Sequence, residues 1–243
     1  MTLPSEASRR DDLSVRLVAL CCAGLYTLLH LTALGSPEFY TRFIAGHTAG
    51  NVGALEYASA AALAIGSAVA VCLTFRAGLN RARRAWVALI AAGLALLLAE
   101  ELNWGQLLFE WDTTGWFARY NDEAETNFHN VTSWLDQKPR AVLNLAIVIG
   151  GVIHPLLLQV RGPGVLDRVA HLAPSLATLP AACFVVLAGL PKLAGLDDRF
   201  DHILPVGYRV SEVEELFIYV FFLFYILSLD RRSRVIIPKN QSA

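Results

Sequence analysis

The chain has 243 residues, 55% of them apolar and 17% charged, with a mean hydropathy of +0.48 and a formal net charge of −1. Soluble domains carry about 25% charged residues, so the composition points to a membrane protein. A balance near zero gives no electrostatic footing for nucleic acid. The four cysteines, Cys21, Cys22, Cys72 and Cys183, fall in apolar runs without C-x-x-C spacing, which argues for packed thiols over a disulfide framework or a zinc ribbon.

In chain order, six apolar runs approach the ~20 residues that cross a bilayer: 14–34, 53–75, 84–102, 141–160, 174–194 and 211–229. The expected fold is all-α, a bundle of six transmembrane helices forming one membrane domain over residues 1–243. The first run is too long for the h-region of a cleavable signal peptide. The fourth carries His154-Pro155, with His154 expected in a helix–helix hydrogen bond. The fifth is interrupted by Pro180 and ends near Pro191; such kinks are tolerated where neighbours re-satisfy the freed carbonyl.

Charge sets the orientation. With both termini cytoplasmic, the inner segments hold thirteen of the twenty basic residues, seven of them in "RAGLNRARR" and "DRRSR". The positive-inside rule favours this topology and makes those clusters topology anchors. Only five of the twenty-one acidic residues share that side. Acidic residues contribute little to topology, so the bias of the other sixteen toward the outer side calls for another reason. The expected location is the plasma (inner) membrane, with the polar site facing the outside or periplasm.

The third run ends in "EELNWGQ", and a long outer loop, 103–140, follows. A carboxylate at the edge of hydrocarbon costs several kcal/mol unless paired or solvated, so Glu100 and Glu101 read as functional. If the helix continued, Glu100 would share a face with Asn103 and Trp104, and Gln106 would follow Asn103 by one turn. Trp104 also fits an interfacial aromatic belt. The segment 107–122 interleaves Phe109, Trp111, Trp116, Phe117 and Tyr120 with charges. It reads as interfacial helix, capped from Asp112-Thr113-Thr114, lying over the bundle as a collar.

In "NDEAETNFHN", helical spacing would align Asp122, Glu125 and His129 in one stripe able to hold a divalent metal or share a proton. Asn127 and Asn130 form a second, amide-bearing stripe. The sixth run opens with "SEVEE", where Ser211 and Glu214 fit a capping box. Glu212 and Glu215 lie on another face and are candidates to complete the site. "DDRFDH", residues 197–202, reads as a solvated loop.

The boxes "EELNWGQ" and "ETNFHN" resemble those of a family of bacterial polytopic membrane proteins carrying Glu-Glu-x-x-Trp-Gly-Gln and Glu-Thr-Asn-x-His-Asn. The resemblance covers about Glu100–Asn130 and the layout of spans, and implies a membrane location without implying a reaction. A looser similarity is to alkaline ceramidases, outward-facing zinc amidases, but their HxxxH and SxxxH boxes have no counterpart here.

Three functions fit this pattern. One is an enzyme acting on a lipid-linked or membrane-proximal substrate, with His129 as general acid or base and Glu101 or Glu125 orienting it or binding a metal; the metal set would be Glu101, Glu125 and His129. Glu100, Asn103, Trp104, Gln106, Asn127, Asn130, Glu212 and Glu215 would bind substrate or build the network. The second is a binding or assembly subunit with a protein partner, whose polar cluster is structural. The third, ranked behind both, is a proton- or cation-coupled carrier. No nucleotide loop or nucleophile elbow is present.

Overall fold

The computed structural model describes residues 6–46, 52–121, 125–128, 131–161, 171–193 and 208–236, which form helices and, among the described residues, no strand. The long helices are α1 (Glu6–Gly35), α2 (Ala54–Thr74), α3 (Arg81–Glu101), α4 (Ser133–Ile147, continued by the π-helical turn Val148–Ile153 and by His154–Arg161), α5 (Leu179–Leu193) and α6 (Val210–Ile236). Five stretches, Asp12–Gly35, Ala54–Thr74, Arg81–Glu101, Gln137–Arg161 and Leu176–Leu193, are long and apolar enough to cross a bilayer. The chain is thus a multi-pass integral membrane protein. Its outer faces carry the apolar side chains that lipid requires: Leu17, Leu20, Leu28 and Leu31 on α1, and Val142, Leu145 and Ile149 along α4, are all exposed.

The sixth helix differs. It spans 27 residues, about 40 Å, yet Glu212, Glu214 and Glu215 near its start and Asp230 and Arg231 near its end leave only 216–229 without charge. It is nonetheless the centre of the bundle, with Val213, Leu216, Phe217, Ile218, Phe221, Tyr225, Ile226 and Leu229 all buried. Helix α6 packs against α2 and α5, α2 packs against α3, and α1 packs against α5. A helix apolar around its whole circumference belongs in the interior, where its charged ends must find partners in other helices.

Proline placement departs from the sequence expectation. Pro180 lies in the first turn of α5, where a missing N–H has no intrahelical partner to lose, so it starts the helix rather than interrupting it. Pro155 stands two residues after the end of the π-helical turn Val148–Ile153; widening the preceding turn accommodates a ring that cannot donate to the carbonyl four residues back. His154 is buried with neither ring nitrogen hydrogen-bonded among the described residues, so the helix–helix bond expected of it is not made. All four cysteines are free, but only Cys22 is buried, while Cys21, Cys72 and Cys183 are exposed.

At the end where α6 finishes, the arginine clusters act as fasteners. Asn80 caps α3 by accepting the Arg83 backbone N–H at 2.8 Å. Arg83 Nη2 then donates to the Leu229 carbonyl at 3.2 Å. Arg76 Nη1 pairs with Asp230 Oδ1 at 2.5 Å and donates to Ser233 Oγ at 2.6 Å. Arg231 reaches Ser14 of α1, which sets the first and last helices together at this end. Replacing Arg76 by Ala is expected to cost about 1–3 kcal/mol, because it strips the partly buried Asp230 of a charged partner. Thermal unfolding of the detergent-purified protein checks this, and Arg76→Lys should recover part of the loss.

Candidate functional site

The opposite end of the bundle holds the acidic and amide residues. Helix α3 stops at Glu101. Asn103, Trp104 and Gly105 follow with φ of 50°, 55° and 107°, three successive left-handed residues. The helix therefore does not run on through "LNWGQ", and the expected sharing of one face beyond Glu101 is replaced by a tight turn. A left-handed non-glycine residue costs on the order of 1 kcal/mol or more and persists only where its surroundings hold it. Here Trp104 Nε1 donates to Glu100 Oε1 at 2.6 Å, and Asn103 is buried. At Gly105 a Cβ would stand 3.0 Å from the Trp111 ring, a tight contact, and the φ of 107° favours glycine whatever the space.

The turn feeds two short helices, Gln106–Phe109 and Gly115–Tyr120. The second starts after Thr114 as expected, but no threonine side chain caps it. Instead the Thr113 hydroxyl accepts from Gln106 Nε2 at 2.7 Å. Phe109, Trp111, Trp116 and Tyr120 are exposed, as an interfacial collar requires.

Residues 125–128 are not helical, so helical spacing does not build the predicted stripe. The reason lies in where their N–H groups go. The Thr126 N–H donates to Gln106 Oε1 at 2.7 Å and the Phe128 N–H to Glu100 Oε2 at 2.8 Å. Asn127 is the hub. Its Nδ2 donates to Asn103 Oδ1 at 2.7 Å and to Glu125 Oε2 at 2.8 Å, and its Oδ1 accepts from Asn121 Nδ2 at 2.9 Å. Asn127, Asn103 and Asn121 are all buried. The two boxes are thus the two halves of one hydrogen-bonded structure, about twenty residues apart in sequence.

Helix α6 meets this end with three carboxylates on three errands. Glu215 pairs with Arg140 of α4. Glu214, buried, accepts from Asn144 Nδ2 at 2.7 Å and lies against Gly189, where a Cβ would come within 2.4 Å of its Oε1. The capping box expected of Glu214 with Ser211 therefore gives way to a link between helices. Glu212 pairs with Arg209 at 2.9 Å, and Arg209 stands 3.7 Å from Glu56 of α2. Glu56 also lies in the field of Glu212, Glu125 and Glu101. Nearby, burial pushes the Tyr40 phenol up to about 12, so it stays a neutral group stacked on Tyr208 at 5.6 Å.

Behind the collar, α3, α4 and α6 line a half-open cavity of about 260 Å³. Leu96, Leu97, Leu143, Ile218, Phe128 and Pro139 give it apolar walls, and Glu100, Glu101, Arg140, Glu215 and Tyr219 give it a polar head. Tyr219 Oη donates to Glu101 Oε1 at 2.8 Å, which ties the third span to the sixth.

The predicted residues therefore separate into groups. Glu100, Glu101 and Glu215 line the cavity. Asn103, Trp104, Gln106, Glu125 and Asn127 form the collar, with Glu100 bonded to both. Glu212 belongs to the Arg209 and Glu56 group. His129 and Asn130 lie outside the described residues, as do Asp122 and the 197–202 segment. Among the described residues no three His, Cys, Asp or Glu side chains gather as a metal-ligand set; Glu101 turns to Tyr219 and Glu125 to Asn127. The sequence reading missed Arg140, Tyr219 and Asn121. Tyr219 follows Glu215 by one helical turn, a spacing that could have flagged it; Arg140 carried no local signal.

No protein-family profile, curated protein or solved structure matches the chain.

Asn127→Ala is expected to destabilise the collar by about 2–4 kcal/mol, since it strips buried Asn103 and Asn121 of hydrogen bonds. Amide hydrogen exchange across 103–128 should accelerate while that of α6 holds. Equal protection in variant and wild type would show that Asn127 is not the hub.

Proposed function

We propose that this is a six-span protein of the plasma (inner) membrane whose outward-facing cavity takes the head and upper chain of a membrane amphiphile, the lipid-linked substrate expected from the sequence. The observation that carries the reading is the cavity between α3, α4 and α6, with hydrocarbon walls and a charged head. Ligand sites are concave, mostly apolar and equipped with a few polar groups that fix orientation. At about 260 Å³ the cavity is slightly smaller than the ~300–1,000 Å³ of sites for whole drug-sized molecules. It suits a headgroup and the start of one chain.

Within this reading, Glu101, hydrogen-bonded by Tyr219, is the carboxylate placed to accept a proton from a bound headgroup, and the Arg140–Glu215 pair fixes the facing wall. The collar formed by Asn103, Gln106 and Asn127 closes the site. A second reading, a binding or assembly subunit with a structural polar cluster, draws its support from that collar, whose amides are bonded to one another. A reaction would add His129 as acid or base. The resemblance of the two boxes to bacterial polytopic membrane proteins rests on sequence alone and agrees with either reading.

Filling the cavity tests the proposal. Leu143→Trp should lose the lipid that co-purifies with the protein, counted by native mass spectrometry, while Leu145→Trp, on the exposed side of the same helix at 61% exposure, should retain it. Equal lipid occupancy in two variants of wild-type melting temperature would exclude the cavity as the site.

A further inference from the structure

The walls of the cavity show which way it opens, an inference that rests on the reading of the cavity as a lipid site. Its floor is α6, where Ile218 is 1% exposed and Tyr219 is buried. Its rim on α3 is Leu96, which is 54% exposed. Leu89, two turns earlier on the same face of α3, is exposed as well, and on α4 the exposed Val142 and Leu145 flank Leu143. Apolar side chains exposed in this way on a spanning helix face hydrocarbon. Helix α3 packs on α2 and α4 packs on α5, while among the described residues no close packing joins α3 to α4. The ties across the cavity are polar and sit at its head, from Tyr219 to Glu101 and from Arg140 to Glu215. The gap between α3 and α4 therefore lies on the lipid-facing surface.

The side toward water is built differently. Phe128 lines the cavity there. Glu100 holds its N–H at 2.8 Å, and its ring meets Phe117 at 5.2 Å, Trp104 at 6.2 Å and Trp116 at 6.4 Å. These rings belong to the collar, and they roof the cavity. Leu96 and Leu97 stand five and four residues before the end of α3 at Glu101, which sets the mouth about 6–8 Å deeper at the helical rise per residue.

We infer that the cavity is a lateral groove, entered between α3 and α4 from the outer leaflet by one acyl chain of a two-chain lipid. That chain lies along Leu96, Leu97, Leu143 and Ile218 beneath the Phe128 roof, and the second chain stays in the bilayer. A cavity of about 260 Å³ is too small for a whole lipid, and a groove open to the side has to hold only part of one. Sideways entry also keeps each CH₂ in hydrocarbon, whereas entry past the collar would draw the chains through water.

Photolabelling of the full-length protein in vesicles tests the route. One probe is a phosphatidylcholine with a diazirine on one chain, and the other is a diazirine-bearing decanol added from water. Labelled residues are mapped by mass spectrometry, with Ile218 on the cavity floor as the reporter and Leu145 on the lipid-facing side of α4 as the control. In the wild type the phospholipid is expected to label both. Leu96→Trp, which narrows the mouth, should cut Ile218 labelling severalfold and leave Leu145 labelling unchanged. Phe128→Ala, which thins the roof, should leave both unchanged. Ile218 labelling that survives Leu96→Trp in a variant of wild-type melting temperature overturns the lateral route and leaves the lipid cavity standing. Labelling of Ile218 by the decanol but not by the phospholipid does the same, since only single-chain amphiphiles would then reach the floor. Labelling of Leu145 alone, by both probes, overturns the cavity itself and the inference with it.

Discussion

The fold turns on one requirement, that the charged ends of a buried helix be satisfied inside a low-dielectric bundle. Helix α6 is apolar on every face over its middle and so occupies the centre, but its first turns carry three glutamates and its last turns Asp230 and Arg232. Leaving such groups without partners would cost several kcal/mol each. Arg76 from the α2–α3 connection and Arg83 from the first turn of α3 fasten one end. Arg140 and Asn144 from α4, with Arg209 just before α6, receive the glutamates at the other.

The same requirement explains the turn after α3. A chain leaving the membrane must dispose of backbone N–H and C=O groups where water is scarce. Here the N–H groups of Thr126 and Phe128 are taken by Gln106 and Glu100, while three asparagines bond among themselves around Asn127. Fully satisfied side-chain networks of this kind rigidify and specify one arrangement. The strained left-handed run at 103–105 is the geometry that network holds in place.

Collar and cavity share Glu100, and this joins structure to function. One oxygen of Glu100 meets Trp104 and the other meets the Phe128 backbone, while the residue itself lines the cavity with Glu101. Phe128 lies on the cavity wall as well. Glu100 and Phe128 therefore belong to the collar and to the cavity wall at once.

The sequence by itself determined the all-helical membrane class, the approximate extent of the spans and the polar character of 100–130, because hydrophobic run length and composition are local properties. It also grouped Glu100 and Glu101 with Glu212 and Glu215, of which Glu100, Glu101 and Glu215 line one cavity while Glu212 turns to Arg209. It could not show that α3 stops at Glu101, because the left-handed turn is held by bonds from Asn127 to Asn103 and from the Phe128 N–H to Glu100 that close only when the loop folds back. For the same reason it drew a helical stripe through Glu125 where the backbone is committed elsewhere. Only the tertiary structure decided that α6, the helix most interrupted by charge, is the core, that Glu214 bridges to Asn144 rather than capping its own helix, and that Arg140 and Tyr219 complete the cavity. Those pairings join residues from 70 to 118 positions apart, and no local pattern encodes which distant partner will meet a buried charge.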